Sequence, residues 1–266
     1  MIALQNSQAQ CLTKQQALES KIKSQREIAY STKHIPGEEV KDTVQSIRVY
    51  RYDDKGNLTE QYEYIADGRR QSKIVFSFNE KGETAEADST DGENIISKAF
   101  YSYDVKGKLI GIKWQDTLGN LLKQSAFTYT ETGKLREEKC IDTSGKSIYR
   151  KVYKYDATGS LIQNDLFNSE SKLYLSIKFN FAGKLYETKT FKADGTVSSR
   201  HSVLFDYAGN KTEEDDFDEN GKLIKKFTFQ CGPFVGPGLW IKETKYDVDG
   251  KSIQITDREF EFYPQQ

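Results

Sequence analysis

One phrase returns at fixed spacing and constrains this chain more than anything else in it: aromatic, any residue, aromatic, Asp, two residues, Gly, any residue, Leu. It reads Tyr50-Arg51-Tyr52-Asp53-Asp54-Lys55-Gly56-Asn57-Leu58, and it recurs from Tyr101 to Leu109 and from Tyr153 to Leu161. The turn glycines Gly56, Gly82, Gly107, Gly133, Gly159, Gly183 and Gly209 are separated by 26, 25, 26, 26, 24 and 26 residues. Between them runs a second series, Gly68, Gly92, Gly119, Gly145, Gly195 and Gly221, with Ser171 where another glycine is expected. A unit repeated this regularly cannot bury its apolar face alone and must stack on its neighbours.

Turns therefore come about 12 or 14 residues apart, which leaves strands of roughly 8 to 10 residues between them. The turn chemistry is specific. Asp opens a type I turn, where its carboxylate accepts backbone N–H groups, and Gly supplies the positive φ that closes a hairpin loop with a bulge. Pairing across such a loop sets Tyr52 opposite Leu58, Tyr103 opposite Leu109 and Tyr155 opposite Leu161. Strand alternation adds Tyr50, Tyr101 and Tyr153 to the same face and sends Arg51, Ser102 and Lys154 to the other.

The expected fold is all-β: an antiparallel meander of about 16 short strands. The aromatic face should lie inside a curled or spiral open sheet, because large sheets twist and an apolar face seeks cover. Hydrophobic content of 36% with 30% charged residues suits such a thin structure, apolar on one face and wet on the other. The net charge of −1 comes from 39 basic and 40 acidic residues spread along the chain, which gives no support to a nucleic-acid partner. No stretch is apolar enough for a transmembrane helix, and polar outward positions argue against an outer-membrane barrel.

The two ends depart from the rhythm. Residues 13–30 carry Thr13 and Gln16 as a capping-box pair, then Ala17, Leu18, Ile22 and Ala29 at near-helical spacing. They are expected to form an amphipathic helix covering an open sheet edge. This divides the chain into an N-terminal segment, residues 1–38, and a repeat domain, residues 39–266. Residues 1–10 have the character of a signal-peptide remnant, so the protein is expected to be exported (periplasm, cell surface or secreted), with a cytoplasmic setting as the alternative. The second departure is Cys231 to Trp240, which holds two of the four prolines.

Few residues propose chemistry. His34 and His201 are the only histidines, and neither stands near a nucleophile or a metal-ligand set in sequence. Asp216, Asp218 and Asn220 match the opening of a calcium loop, but Phe227 occupies the place of its bidentate glutamate. Asp218 to Gly221 also reads as one more hairpin turn. Glu213 to Asp216 form an acidic run that reads as a solvated strand. Trp114, Phe234 and Trp240 are the candidate ligand or partner contacts, aromatic platforms for a sugar or a protein. No catalytic residue and no cofactor is read from the sequence.

The Tyr-x-Tyr-Asp-x-x-Gly-x-Leu phrase resembles the YD repeats of Rhs and teneurin-type proteins over roughly residues 45–255. The resemblance implies tandem hairpins in a spiralling sheet and a bacterial surface or secreted setting. The arginine usual after the turn glycine is here Asn57, Lys108 or Ser160. MORN-like bacterial repeats, with Asn/Asp-Gly-Lys turns, look similar and imply a cytoplasmic protein. The function expected from all this is a non-enzymatic extended scaffold for a protein or carbohydrate partner. The alternatives are a carrier of an apolar ligand on the aromatic face and a carboxylate-dependent hydrolase.

Overall fold

In the computed structural model, which describes residues 11–35, 38–91, 94–180 and 184–264, the hairpins form a closed ring. After a short helix α1 (Lys14–Glu19) come β1 (Ile22–Ile35), β2 (Glu38–Tyr52), β3 (Leu58–Ile65), β4 (Arg70–Phe78), β5 (Thr84–Asp91) and β6 (Asn94–Tyr103). The meander continues through β7 (Leu109–Gln115), β8 (Leu121–Tyr129), β9 (Leu135–Asp142), β10 (Ser147–Tyr155), β11 (Leu161–Phe167) and β12 (Leu173–Asn180). It goes on through β13 (Leu185–Phe191), β14 (Val197–Phe205), β15 (Lys211–Phe217) and β16 (Leu223–Cys231). A small hairpin of β17 (Phe234–Gly236) and β18 (Leu239–Trp240) interrupts it before β19 (Lys242–Tyr246) and β20 (Ser252–Phe262).

Every neighbouring pair is antiparallel. β16 passes to β19, β19 to β20, and β20 returns to β1, which also pairs with β2. Eighteen strands thus close into a barrel, where the repeat suggests about 16 in an open curled or spiral sheet. The reason lies in β1. Its Arg26 stands opposite Val49 of β2 on one side and Glu259 of β20 on the other, so one strand satisfies both edges that an open sheet would expose. The helix expected over residues 13–30 is correspondingly shortened. Only Lys14–Glu19 is helical, with the predicted Thr13–Gln16 capping box in place, and residues from Ile22 onward are strand. Two complete hydrogen-bond ladders outweigh a near-helical spacing of four apolar residues. The barrel accordingly begins at Ile22 rather than at residue 39, while the leader-like residues 1–10 lie outside the described residues.

The turns follow the predicted chemistry. At the turn between β6 and β7 Gly107 N–H donates to Asp104 C=O at 3.0 Å, Asp104 N–H donates to Lys108 C=O at 2.9 Å, and Gly107 has φ 78°. Asp104 Oδ1 accepts the N–H groups of Lys106 at 2.8 Å and Lys108 at 2.9 Å. Ser171 adopts the same left-handed conformation, φ 61°, without being glycine. Register also agrees: Tyr52 pairs with Leu58, Tyr103 with Leu109 and Tyr155 with Leu161.

The outer face carries cross-strand ion pairs. Lys98 reaches Glu86 at 2.7 Å and Asp88 at 3.3 Å, Lys226 reaches Glu213 at 2.6 Å, and Arg200 reaches Glu187 at 3.2 Å. Solvated pairs of this kind contribute little each, but they keep the outside wet.

The best-buried apolar cluster sits at one rim, where Leu12, Ala17, Ile22, Tyr50, Tyr52 and Leu239 meet. The two places where the repeat breaks, α1 and the β17–β18 hairpin, therefore converge on the same end of the barrel. Leu12 N–H donates to the Tyr52 hydroxyl at 3.0 Å, and the α1 backbone lies so near Gly56 that a Cβ there would come within 2.4 Å of Lys14 O. Together they cap that rim.

Candidate binding cavity inside the barrel

Strand alternation decides what lines the interior. In β1 the inward positions are Gln25, Glu27 and Ala29, opposite Phe260, Arg258 and Thr256 of β20. In β2 they are Ser46, Arg48, Tyr50 and Tyr52. On the far wall Ile177, Thr188 and His201 stand opposite one another across β12, β13 and β14, as do Tyr186 and Val203 across β13 and β14. These two walls enclose a cavity of about 230 Å³, which Phe205, Lys211, Glu214, Phe229, Trp240, Glu243 and Lys245 also line. The interior is thus not the plain ladder of aromatics and leucines that the repeat suggests. Charged side chains share it with the rings.

Most of these charges are paired. Arg258 Nε lies 2.6 Å from Glu27 Oε1, and both side chains are buried, at 7% and 4% exposure. Gln25 Nε2 donates to the same Glu27 oxygen at 2.8 Å. The Arg258 guanidinium also stacks 3.5 Å from the Trp240 ring centre, so the hairpin cap and the β1–β20 seam share one residue. Glu214 serves two lysines, Lys211 at 3.1 Å and Lys245 at 3.7 Å. Both ammonium groups lie over rings, Lys211 over Phe229 at 3.8 Å and Lys245 over Phe227 at 3.7 Å. Burial pushes the Lys245 ammonium below its ordinary value, against the pull of Glu214. Arg48 pairs with Glu63 at 3.1 Å.

Two acceptors are less well served. Glu243 makes no ion pair among the described residues; its one hydrogen-bond partner is the Cys231 thiol, at 3.6 Å. Burial raises the Glu243 carboxyl above its ordinary value, against the opposing pull of Lys211 and Arg258. Burial likewise pushes the Cys231 thiol up to about 12, with Glu243 adding to it. His201 Nδ1 lies 2.7 Å from Asp216 Oδ1, while its Nε2 is buried without a hydrogen-bond partner.

The acidic run shows why sequence alone misplaces such groups. Glu213 and Asp215 point outward to Lys226, whereas Glu214 and Asp216 point inward to the lysines and to His201. Asp218 is a turn residue whose Oδ1 accepts the N–H groups of Asn220 and Lys222, both at 2.9 Å. Asp216, Asp218 and Asn220 are therefore not brought together as a calcium loop requires. No group of three or more His, Cys, Asp or Glu side chains is arranged for a metal among the described residues.

The three aromatic candidates separate as well. Trp240 is buried in the cavity wall, Phe234 pairs with it in the cap hairpin but is exposed, and half-buried Trp114 lies on β7, away from both. Sequence reasoning did not find Glu27, Arg258, Lys211, Lys245 and Glu243. The register of β15 on β14, with its bulge between Lys211 and Glu213, is the signal that could have found Lys211 and Glu214.

No family model and no curated protein matches the chain. Solved structures with a similar arrangement include a porin-like protein from Bacteroides uniformis, at 10% identity over 90% of this chain and 98% of that one, with a TM-score of 0.48. A LolA superfamily protein from Nitrosomonas europaea matches at 10% identity over 96% of each chain, with a TM-score of 0.26. The Photorhabdus luminescens Tc holotoxin pore matches at 12% identity over 84% of this chain and 16% of that one, with a TM-score of 0.29. At these scores the likenesses carry no inference about ligand or partner.

Proposed function

We propose that the protein is a non-enzymatic, exported binding protein that holds a small ligand inside its barrel. The observation that carries this reading is the cavity of about 230 Å³ beneath the capped rim, where aromatic rings alternate with charges already paired to one another. Concave, mostly pre-formed sites with a few convergent polar groups are what small ligands occupy. The carrier alternative thus takes precedence over the extended scaffold, since the aromatic face is enclosed. Solvent extracts of gently purified protein, compared by mass spectrometry with extracts of Ser46→Phe, test it. Ser46 lines the cavity, and a phenyl ring there takes up part of its volume. A small molecule depleted in the variant is the expected result; identical extracts from the two folded proteins overturn the reading.

A second reading has one observation in its favour. The outer wall carries a groove of about 270 Å³, where Leu173, Phe191 and Val197 adjoin Lys178, Glu187 and Lys189. A protein or glycan partner seated there would make the barrel a scaffold. Charge reversal at Lys178 and Lys189 that left partner capture intact would remove this reading.

A further inference from the structure

The geometry points to a neutral polyhydroxylated ligand, of the monosaccharide or sugar-alcohol class, held in the barrel cavity by Glu243. This rests on the interior-cavity reading above and adds the chemistry of the occupant.

Each cation on the cavity wall already has its carboxylate: Arg258 has Glu27, Lys211 and Lys245 have Glu214, and Arg48 has Glu63. An anionic ligand at Glu243 would face that carboxyl and the Glu27 carboxylate whose field also acts there, and like charges at close range repel. A cationic ligand at Glu243 would meet the fields of Lys211 and Arg258, both of which act on that carboxyl. A wholly apolar ligand would leave Glu243 with the Cys231 thiol as its one donor, and burying an under-served carboxyl is costly.

Hydroxyl groups resolve all three conflicts. Glu243 accepts only a weak thiol donor at 3.6 Å and has room for a strong one. A sugar presents several O–H donors without net charge, and its C–H faces pack on rings such as Phe229 and Phe205 in the same wall.

Calorimetric titration of the intact protein with D-glucose, D-galactose, D-mannose and sorbitol, beside octanoate and octylamine, tests the inference. Saturable heat with at least one of the neutral polyols is expected. Glu243→Gln should weaken that binding about tenfold, the loss expected of one hydrogen bond to a charged or buried partner. Glu170→Gln, on an exposed turn, should leave it unchanged, and circular dichroism of each variant establishes that the barrel is intact. Heat with octanoate or octylamine alone overturns the polyol inference while leaving the interior cavity as a binding site. Silence with all six probes overturns it too, as does polyol binding that Glu243→Gln leaves unaltered. The cavity reading itself fails separately, through identical extracts from the protein and Ser46→Phe.

Discussion

The hydroxyl of Tyr129 donates to the backbone carbonyl of Leu109, 20 residues earlier, at 2.7 Å. The same bond joins Tyr103 to Thr84 at 2.9 Å and Tyr155 to Leu135 at 2.8 Å. It explains why the residue before the turn is tyrosine at these positions rather than phenylalanine: each hairpin is stitched to the one before it. Tyr129→Phe should lower stability by about 1 kcal/mol in chemical denaturation, with the ring retained. A loss indistinguishable from zero would mean that the bond is made equally well to water.

Gly56 and Gly119 both have positive φ, 73° and 84°, but only Gly56 lies against another element. A Cβ at Gly119 meets nothing within 4 Å, whereas at Gly56 it collides with Lys14 and Leu18 of α1. Gly119→Ala should cost about 1 kcal/mol for the left-handed backbone alone. Gly56→Ala should cost about 1–3 kcal/mol more through overpacking. Equal midpoints in urea for the two variants would show that α1 does not seat on this turn.

Ser171 occupies a glycine position, φ 61°, and has paid no compensating contact for it among its described bonds beyond the turn itself. Ser171→Gly should therefore stabilise the protein by roughly 0.5–1 kcal/mol, the relief of the left-handed conformation offset by the freer unfolded chain. A lower melting temperature in the variant would contradict this.

Arg258 binds the strand seam to the cap through Glu27 and Trp240. Arg258→Ala should cost about 3–5 kcal/mol, because it strands the buried Glu27 carboxylate. The double variant Arg258→Met with Glu27→Leu should recover most of that loss. Failure of the double variant to recover would place the energy in the Trp240 stack instead.

Stability against pH should have two opposed components. Hydrogen bonds hold the turn carboxyls below their ordinary range: from Lys108 N–H to Asp104, and from the side chains of Asn120, Ser144 and Thr158 to Asp116, Asp142 and Asp156. A depressed folded value gives stability above the unfolded aspartate pKa of about 3.9, and that stability is lost as pH falls through the folded value. Glu243 runs the other way. Its raised carboxyl favours the fold fully below the unfolded glutamate pKa of about 4.3 and loses that advantage as pH rises. Glu243→Gln should thus raise the melting temperature at pH 8 and leave it nearly unchanged at pH 4. The reverse order would show that Glu243 is held by a charge rather than by burial.

Hairpin length, turn type, register and the aromatic face were legible because each is written locally, in residues no more than about ten apart. Closure was not. It depends on β1 meeting β20, a pairing such as Ile28 with Asp257, and nothing near either residue announces the other. The helical reading of Ile22 to Ala29 failed for the same reason, since those residues are strand only because two ladders await them. The cavity charges were hidden by parity: Glu214 and Glu213 are neighbours in sequence, yet they face opposite sides of the wall. Trp240 looked like an exposed platform and is instead a buried part of the cap, because the Gly/Pro-rich segment folds over the rim rather than away from it.

A linear stack of repeats can fray from its ends, and it can lose a unit and remain a shorter stack. Here β20 lies between β19 and β1, so no hairpin is terminal. Removing one would change the curvature and stagger demanded of every remaining pair at once. The number of hairpins is then a property of the whole molecule, fixed the way the staves of a cask are, and unfolding must breach the ring before any single repeat can come loose.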